Sequence, residues 1–144
     1  MLNLEPCAML PPHYHHRAAN YVVAFKGNTT TYMFEENGTR LVKETFTPSQ
    51  ATIFPQASMH MMENLRCEPA QLVSALNSED AGTQNIANVF TDIFPSILVD
   101  AAMGSDPSGM CGKVVPIGTG ANRGSAECLA RCGIDAGNRT SRAV

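Results

Sequence analysis

The feature that most constrains the fold of this sequence is a series of short β-prone runs separated by turn residues. Between the second and third runs lies Glu35-Glu36-Asn37-Gly38, and an Asn-Gly pair between two strands is typical of a tight hairpin. Strands this short, at this spacing, are typical of a sandwich or barrel, so we predict an all-β fold. The five runs cover residues 21–25, 30–34, 41–46, 51–54 and 71–76.

The apolar pattern takes a helical period from Thr83 onwards. Pro95 separates two such segments, which we expect to form short helices packed on the barrel. From Gly104 glycine and serine are frequent, and we expect most of this stretch to be loop or tail. We therefore predict a barrel with its first C-terminal helices over residues 1–103 and a Gly/Ser-rich, Cys-containing tail over residues 104–144. The helical period is carried by Ile86, Val89, Phe90, Ile93, Ile97, Leu98 and Ala101.

Length and charge narrow the class of function. A chain of 144 residues fits one domain. Its net charge is −3 and it has no basic stripe, which argues against nucleic acid and against an anionic membrane surface as partners. No apolar run reaches the roughly 18–20 residues needed to cross a bilayer. No N-terminal stretch has the layout of a signal peptide.

Five cysteines favour an oxidising compartment, and their odd number leaves at least one thiol free or paired with another chain. The spacings do not resemble a zinc ribbon, and the pairing stays open. No histidine lies near Cys67, Cys128 or Cys132 in sequence, so structural disulfides or inert thiols are favoured over nucleophiles. The cysteines are Cys7, Cys67, Cys111, Cys128 and Cys132. Sequons at Asn28, Asn37 and Asn138 point to the same secreted context as candidate glycosylation sites.

The tetrapeptide His13-Tyr14-His15-His16 is the strongest candidate for chemistry. On a strand, His13 and His15 project to one face while Tyr14 and His16 point away, so two imidazoles form half of a metal site. Taken alone, such a pair is more often chance or a satisfied surface pair. His60 follows a proline turn, and a barrel could bring it across the lumen to complete the site.

With both motifs in register, the sequence resembles the cupin superfamily, specifically the germin-like and spherulin-like proteins of fungi and plants. The first motif, His-x-His followed by Glu and Gly, corresponds to residues 13–27, with Gly27 in place. The second, Pro-x-Gly-x-x-His-x-x-x-Asn, corresponds to residues 55–64. Short segments typical of the fungal members also match at Pro6-Cys7 and at residues 67–70, 77–80 and 127–133. The resemblance therefore covers about residues 5 to 134. It implies a cupin-type jelly-roll barrel with three histidines and one glutamate around a metal, usually manganese.

Several residues depart from the family pattern. Asn20 stands at the position of the metal-binding glutamate, which replaces a carboxylate with a neutral amide. Manganese depends on carboxylate oxygen more than zinc does, so Mn²⁺ follows from the resemblance while Zn²⁺ or no metal are alternatives. Leu10 stands where oxalate-oxidising germins carry a substrate-holding asparagine. Ser49 and Ala57 replace glycines, which is tolerable only if the backbone there has a negative φ.

The resemblance supports two main functions. One is an extracellular cupin that binds a metal. If it is an enzyme, it is a manganese oxidoreductase that acts on a small carboxylate such as oxalate or on superoxide. The alternative is a catalytically decayed cupin with a structural, storage or cell-wall role, which Asn20 and Leu10 favour. A third class, sugar or small-molecule binding in the barrel, is open because cupin lumens are concave and apolar. Asn64 is interpreted mainly as a turn or lumen polar group, with a weaker role in substrate binding.

Germin-like proteins carry N-terminal strands ahead of the first motif, so we expect this barrel to be incomplete at its N-terminus. A missing strand leaves an unpaired edge, which favours dimerisation or lowers stability. The resemblance also implies secretion and a homo-oligomer such as a trimer or hexamer.

Overall fold

Two antiparallel sheets make up most of the molecule in a computed structural model, which describes residues 1–104 and 121–135. The first sheet has the strand order β1-β8-β3-β6, and the second has the order β10-β2-β7-β4-β5, with β9 paired to β2. The strands are β1 (Leu2–Leu4), β2 (Ala8–Tyr14), β3 (Asn20–Lys26), β4 (Thr29–Phe34), β5 (Val42–Phe46), β6 (Ala51–Phe54), β7 (Met59–Glu63), β8 (Ala70–Leu76), β9 (Gln84–Asn85) and β10 (Asn122–Arg123). The predicted all-β barrel with short helices is confirmed.

The core lies between the two sheets. Leu4, Val22 and Leu72 from the first sheet pack with Phe46 and Met62 from the second, and all five are at most 4% exposed. Apolar side chains from both walls meet in one cluster because each strand alternates its residues between the two faces.

A β-bulge in β2 sets the position of the first histidine. Leu10 pairs with Met62 and His13 pairs with His60, so two residues of β2, Pro11 and Pro12, oppose a single residue of β7. The extra residue reverses which positions of β2 face inwards, from even numbers before the bulge to odd numbers after it. Proline suits this place because it has no N–H to donate to a neighbouring strand.

Short helical segments follow β9, as the periodicity predicts. They are α1 (Ile86–Asn88), a π-helical turn (Val89–Ile93) and α2 (Ser96–Ala102). The stretch expected to be mostly loop contains β10 and a further helix, α3 (Ala126–Arg131). The side chain of Ser125 caps α3 by accepting a hydrogen bond from the backbone nitrogen of Cys128.

Two disulfides attach α3 to the barrel. Cys7 pairs with Cys128 and Cys67 pairs with Cys132. Cys7, Cys128 and Leu129 form a small second core, so the structural interpretation of these cysteines agrees with their burial. Cys111 lies outside the described residues. In the chain-entropy model, a loop as long as that between Cys7 and Cys128 stabilises the fold by about 4–5 kcal/mol.

The two residues that replace family glycines both adopt left-handed backbone conformations. The φ angle is 74° at Ser49 and 62° at Ala57. The backbone nitrogen of Ala57 donates to the carbonyl of His15, and that of Ser49 donates to Ala24, so each strained turn is tied to a neighbouring strand. Gly27, in contrast, keeps the family residue, because at its φ of 71° a Cβ would lie 2.9 Å from the Pro69 carbonyl oxygen.

The outward face of the first sheet is also apolar. Tyr21 and Ile53 are cross-strand neighbours, and they are 47% and 59% exposed. Val23 pairs with both Ala51 and Val73 on the same face, and Phe25 at its end is exposed as well. A sheet that is apolar on both faces is the pattern of a sheet covered on both sides.

We predict that Ala57→Gly stabilises the protein by about 0.5–1 kcal/mol, because glycine relieves the left-handed strain but loses more entropy on folding. Ala75→Gly is the matched control, since Ala75 lies in the extended backbone of β8, where glycine destabilises by about the same amount. Chemical unfolding at pH 7 measures both differences. A loss of stability in Ala57→Gly equal to that in Ala75→Gly would contradict the assigned backbone conformation.

Candidate metal site

Three buried imidazoles converge on one point between the sheets. His13 from β2, His15 just after it and His60 from β7 are each at most 7% exposed. One ring nitrogen from each lies within 4.8 Å of those of the other two. Their ring centroids are 4.4–5.4 Å apart, and the ring of His60 stacks on Phe54. The structure therefore brings together the three histidines that the sequence analysis predicts as metal ligands.

Backbone carbonyls hold all three rings in the same tautomer. Nδ1 of His13 lies 2.8 Å from the carbonyl oxygen of Pro11, and Nδ1 of His60 lies 2.9 Å from that of Ser58. Nδ1 of His15 lies 2.9 Å from the carbonyl oxygen of Gly82. Because a carbonyl only accepts, each Nδ1 carries a proton, so Nε2 is the nitrogen through which each ring could bind a metal. Metal-binding histidines are held in this way in proteins generally.

Burial favours the neutral form of two of these imidazoles, those of His13 and His60. It lowers the pKa of His13, although the hydrogen bond to the Pro11 carbonyl works in the opposite direction. Burial and the neighbouring His13 lower the pKa of His60 to about 3. Nε2 of His60 is buried without a hydrogen-bond partner among the described residues. A divalent cation is the partner that a cluster of three imidazoles suits best.

Asn20 lies in the same cavity, at the inner face of β3. It is 2% exposed, and its Oδ1 accepts a 2.7 Å hydrogen bond from the hydroxyl of Ser74. Ser74 lies on the neighbouring strand β8, directly beside Val22. The position that the family gives to a carboxylate therefore holds an amide whose oxygen is already engaged.

The cavity around these residues has a volume of about 200 Å³. Its polar lining includes Thr83 and Asn85, which no sequence motif singled out; Asn85 pairs with His13 across β9 and β2, a contact that only the fold creates. Ser74 and Leu76 line the cavity and are also exposed, so it communicates with solvent. The full lining is Leu2, Leu10, His13, His15, Asn20, Met62, Ser74, Leu76, Thr83 and Asn85.

The loop before β9 supports His15 from outside the barrel. Arg17 forms an ion pair of 2.8 Å with Asp80 and also donates to its backbone carbonyl. This contact fixes the segment that ends in Gly82, whose carbonyl oxygen orients His15. Gly82 has a φ of 65°, and a Cβ there would lie 2.8 Å from the Arg17 guanidinium.

Asn64, the weak candidate for substrate binding, is 1% exposed and does not line the cavity. Its amide nitrogen donates to the carbonyls of Leu4, Glu5 and Glu68, and its oxygen accepts from the backbone of Arg66. These contacts support the interpretation of Asn64 as a turn residue that joins the loops at the base of the barrel.

The candidate glycosylation sites lie on connections between strands. Asn28 is half-buried between β3 and β4, and Asn37 is exposed in the hairpin between β4 and β5. Asn138 lies outside the described residues. No helix in the described part of the chain is long and apolar enough to cross a membrane.

The family model for cupins matches residues 1–103, which contain all three histidines. The chain belongs to the cupin family. Spherulin-1A of Physarum polycephalum is 37% identical to this cupin over 87 residues, which are 60% of this chain and 35% of that protein. Germin-like protein 5-1 of Oryza sativa subsp. japonica is 28% identical over 118 residues, covering 82% of this chain and 49% of the relative. This cupin thus spans at most about half the length of these curated relatives.

A solved structure of oxalate oxidase in complex with the substrate analogue glycolate has the same fold. The TM-score is 0.71 at 20% identity, and the superposition covers 74% of this cupin and 55% of that chain. At this identity the likeness shows the fold alone.

We predict that the metal-free cupin loses stability as the pH falls from about 6.5 towards 3. The unfolded chain protonates His60 near its ordinary pKa of 6.5, whereas the folded chain holds it neutral to about pH 3. In this window unfolding takes up a proton, which costs the folded state about 1.4 kcal/mol per pH unit. Urea unfolding with a chelator, at several pH values, measures the slope.

His60→Gln should reduce that slope by about 1.4 kcal/mol per pH unit, which is the contribution of one proton, because glutamine does not titrate. His16→Gln is the matched control, since His16 is exposed and lies outside the cluster. Equal slopes in His60→Gln and the unmodified protein would contradict the neutral, buried state of His60.

Proposed function

We propose that this cupin is an extracellular, germin-like protein that binds a divalent transition-metal ion through Nε2 of His13, His15 and His60. The observation that carries this proposal is the common arrangement of the three rings. Each Nδ1 is held by a backbone carbonyl, so that Nε2 is the nitrogen each ring of the buried cluster can offer to a metal. An unpaired buried nitrogen such as Nε2 of His60 destabilises a fold unless a ligand satisfies it.

The identity of the ion follows from the donor set. Manganese is the metal that the germin resemblance implies, but Mn²⁺ prefers carboxylate and other oxygen ligands. The cavity lining contains two of the three imidazoles, those of His13 and His15, and no acidic residue. Zinc, nickel or copper therefore suit this site better than manganese does, and we propose a zinc-like ion as its occupant.

Two activities are compatible with such a site. If this cupin is an enzyme, it is an oxidoreductase that acts on a small carboxylate or on superoxide, by analogy with the oxalate oxidase whose fold it shares. The competing proposal is a catalytically decayed cupin with a structural, storage or cell-wall role. Leu10 and Asn20 favour decay, because both line the cavity and both replace groups on which oxalate chemistry depends in the family.

Extracellular function is supported by the disulfides. Two cystines with long sequence separations persist in oxidising surroundings and are rare in the cytosol. The sequon at Asn37 lies in an exposed hairpin, where a glycan has room to extend into solvent.

The outward face of the first sheet supports self-association. It presents Tyr21, Val23, Ile53 and Val73 together, all of them uncharged. A face with so little charge suits a second copy of the same face, related by a two-fold axis. We therefore propose a homo-oligomer in which this sheet packs against its equivalent.

The metal prediction is tested by plasma mass spectrometry of protein loaded in acetate buffer with zinc or with manganese. The unmodified cupin should retain about one zinc per chain and little manganese, whereas Asn20→Glu should retain manganese as well, because it restores the carboxylate. His60→Gln should lower the zinc content by about 10-fold or more, and His16→Gln should leave it unchanged. Failure of the unmodified protein to retain any of these ions would refute the proposed site.

The oligomer prediction is tested by sedimentation velocity. Ile53→Lys places a charge in the middle of the apolar face and should convert the oligomer to monomers, since an unpaired charge is costly to bury. Leu41→Lys is the matched control, because Leu41 is 58% exposed on the hairpin of the other sheet. A monomeric unmodified protein at micromolar concentration, or an Ile53→Lys variant that still associates, would contradict the proposed face.

A further inference from the structure

The two disulfides are in contact with each other. Sγ of Cys132, which belongs to one disulfide, lies 3.5 Å from Sγ of Cys7, which belongs to the other. Cys128 lies in α3 and Cys132 follows its last residue, four positions later, so both sulfurs are presented on the same face of the helix. The Sγ atoms of Cys7, Cys128 and Cys132 accordingly lie within 4.8 Å of one another. Cys7 can therefore be reached by either cysteine of the helix.

The two disulfides differ in exposure. Cys7 and Cys128 are each 1% exposed, so they form the buried disulfide. Cys67 is exposed in the connection between β7 and β8, and its partner Cys132 is half-buried, so they form the exposed disulfide. Exchange requires a thiolate to reach a sulfur atom, and in this protein a thiol from solution can reach Cys67. Its attack there leaves Cys132 as a thiolate beside Cys7.

A positive charge lies next to the sulfur that would leave the buried disulfide. Nη2 of Arg131 is 3.3 Å from Sγ of Cys128, and it donates a hydrogen bond of 2.6 Å to the carbonyl oxygen of Leu65. A thiolate on Cys128 would be stabilised by this guanidinium, and a stabilised thiolate is the better leaving group in disulfide exchange. Attack on Cys7 with departure of Cys128 is therefore favoured.

We propose that the two disulfides form a site of reversible S-thiolation, in which a small thiol attaches to Cys67 and the buried disulfide changes its pairing. The thiolate of the small molecule attacks Sγ of Cys67, forms a mixed disulfide and displaces Cys132 as a thiolate. Cys132 then attacks Sγ of Cys7 and displaces the thiolate of Cys128, which takes up the proton that the small thiol lost. Each step breaks one disulfide and forms one, so no oxidant or reductant is consumed.

The second step preserves the modification made in the first. A free Cys132 beside Cys67 would reverse the mixed disulfide, because two groups in one folded chain have a high effective concentration. Once Cys132 is bonded to Cys7, this reverse reaction has lost its nucleophile. The new bond also keeps α3 attached to the barrel, because it joins the same two parts of the chain as the bond between Cys7 and Cys128. The site can thus carry a small thiol without releasing the helix.

The pairing is mapped by mass spectrometry after incubation with a mixture of reduced and oxidised glutathione at mildly alkaline pH. The protein carries Cys111→Ser, so that every thiol detected belongs to the two disulfides. Free thiols are trapped with N-ethylmaleimide in acid, and the protein is digested without reductant. We expect glutathione on Cys67, a disulfide between Cys7 and Cys132, and N-ethylmaleimide on Cys128.

A first variant tests whether the second step preserves the modification. Cys7→Ser combined with Cys128→Ser removes the buried disulfide and keeps the exposed one, which still attaches α3 to the barrel. Cys132 then remains free to reverse the reaction, so the amount of glutathione on Cys67 should fall by about 10-fold or more at the same glutathione concentrations.

A second variant tests the role of the positive charge. Arg131→Gln removes the guanidinium beside Cys128 and should lower the yield of the rearranged disulfide by about threefold or more. Arg40→Gln is the matched control, because Arg40 is exposed in the hairpin between β4 and β5. Its yield should equal that of the protein with Cys111→Ser alone.

Three results would overturn the proposal. Glutathione on Cys67 with free Cys132 and an intact bond between Cys7 and Cys128 would mean that exchange stops at the exposed disulfide. Resistance of both disulfides to glutathione would mean that Cys67 is not a point of attack. Simultaneous reduction of all four cysteines would mean that the disulfides open only when the structure around them unfolds.

Discussion

The site depends on one extra residue in β2. With Pro11 and Pro12 opposite a single residue of β7, the strand changes from burying even-numbered positions to burying odd-numbered ones. His13 consequently faces inwards beside His60, and His15 follows it two positions later. Without the bulge the two histidines of the first motif would point towards solvent, since a one-residue shift moves every side chain to the opposite face. The convergence of the three histidines therefore depends on backbone register.

The same backbone also fixes the electronic state of the rings. Carbonyl oxygens at residues 11, 58 and 82 accept hydrogen bonds from the three Nδ1 atoms, and burial lowers the pKa of His13 and His60. The result is a cluster of three imidazoles whose ring nitrogens lie close enough together to hold a metal ion. At the position of the family's glutamate lies the amide of Asn20, whose oxygen accepts a hydrogen bond from Ser74. The site thus combines three converging histidines with an amide in place of the carboxylate that the resemblance implies.

Much of this arrangement was predictable from local sequence. Alternating β-branched residues and the Asn37-Gly38 turn predicted the strands from β3 to β6, and the two motifs nominated the three histidines and Asn20. Local pattern failed where context decides the conformation. β1 has three residues and is strand only because it pairs with β8, and β7 is rich in methionine, which lacks a strong strand preference. The helix α3 lies in a glycine-rich stretch and is stabilised there by its cap and its disulfides.

Contacts between residues distant in sequence could not be predicted from local sequence patterns. Ser74 reaches Asn20 across 54 positions, and Asn85 meets His13 only through the pairing of β9 with β2. The disulfide pairing and the sign of φ at Ala57 likewise become known only in three dimensions, because sequence restricts these features without determining them.

The disulfides give the covalent structure of this cupin a nearly circular form. Cys7 and Cys128 are 121 positions apart and directly bonded, and Cys67 and Cys132 form a second ring that overlaps the first. A single peptide-bond cleavage anywhere between these outer cysteines would leave both fragments joined through sulfur. A protein built in this way keeps its barrel and its α3 helix together after a protease has cut it once.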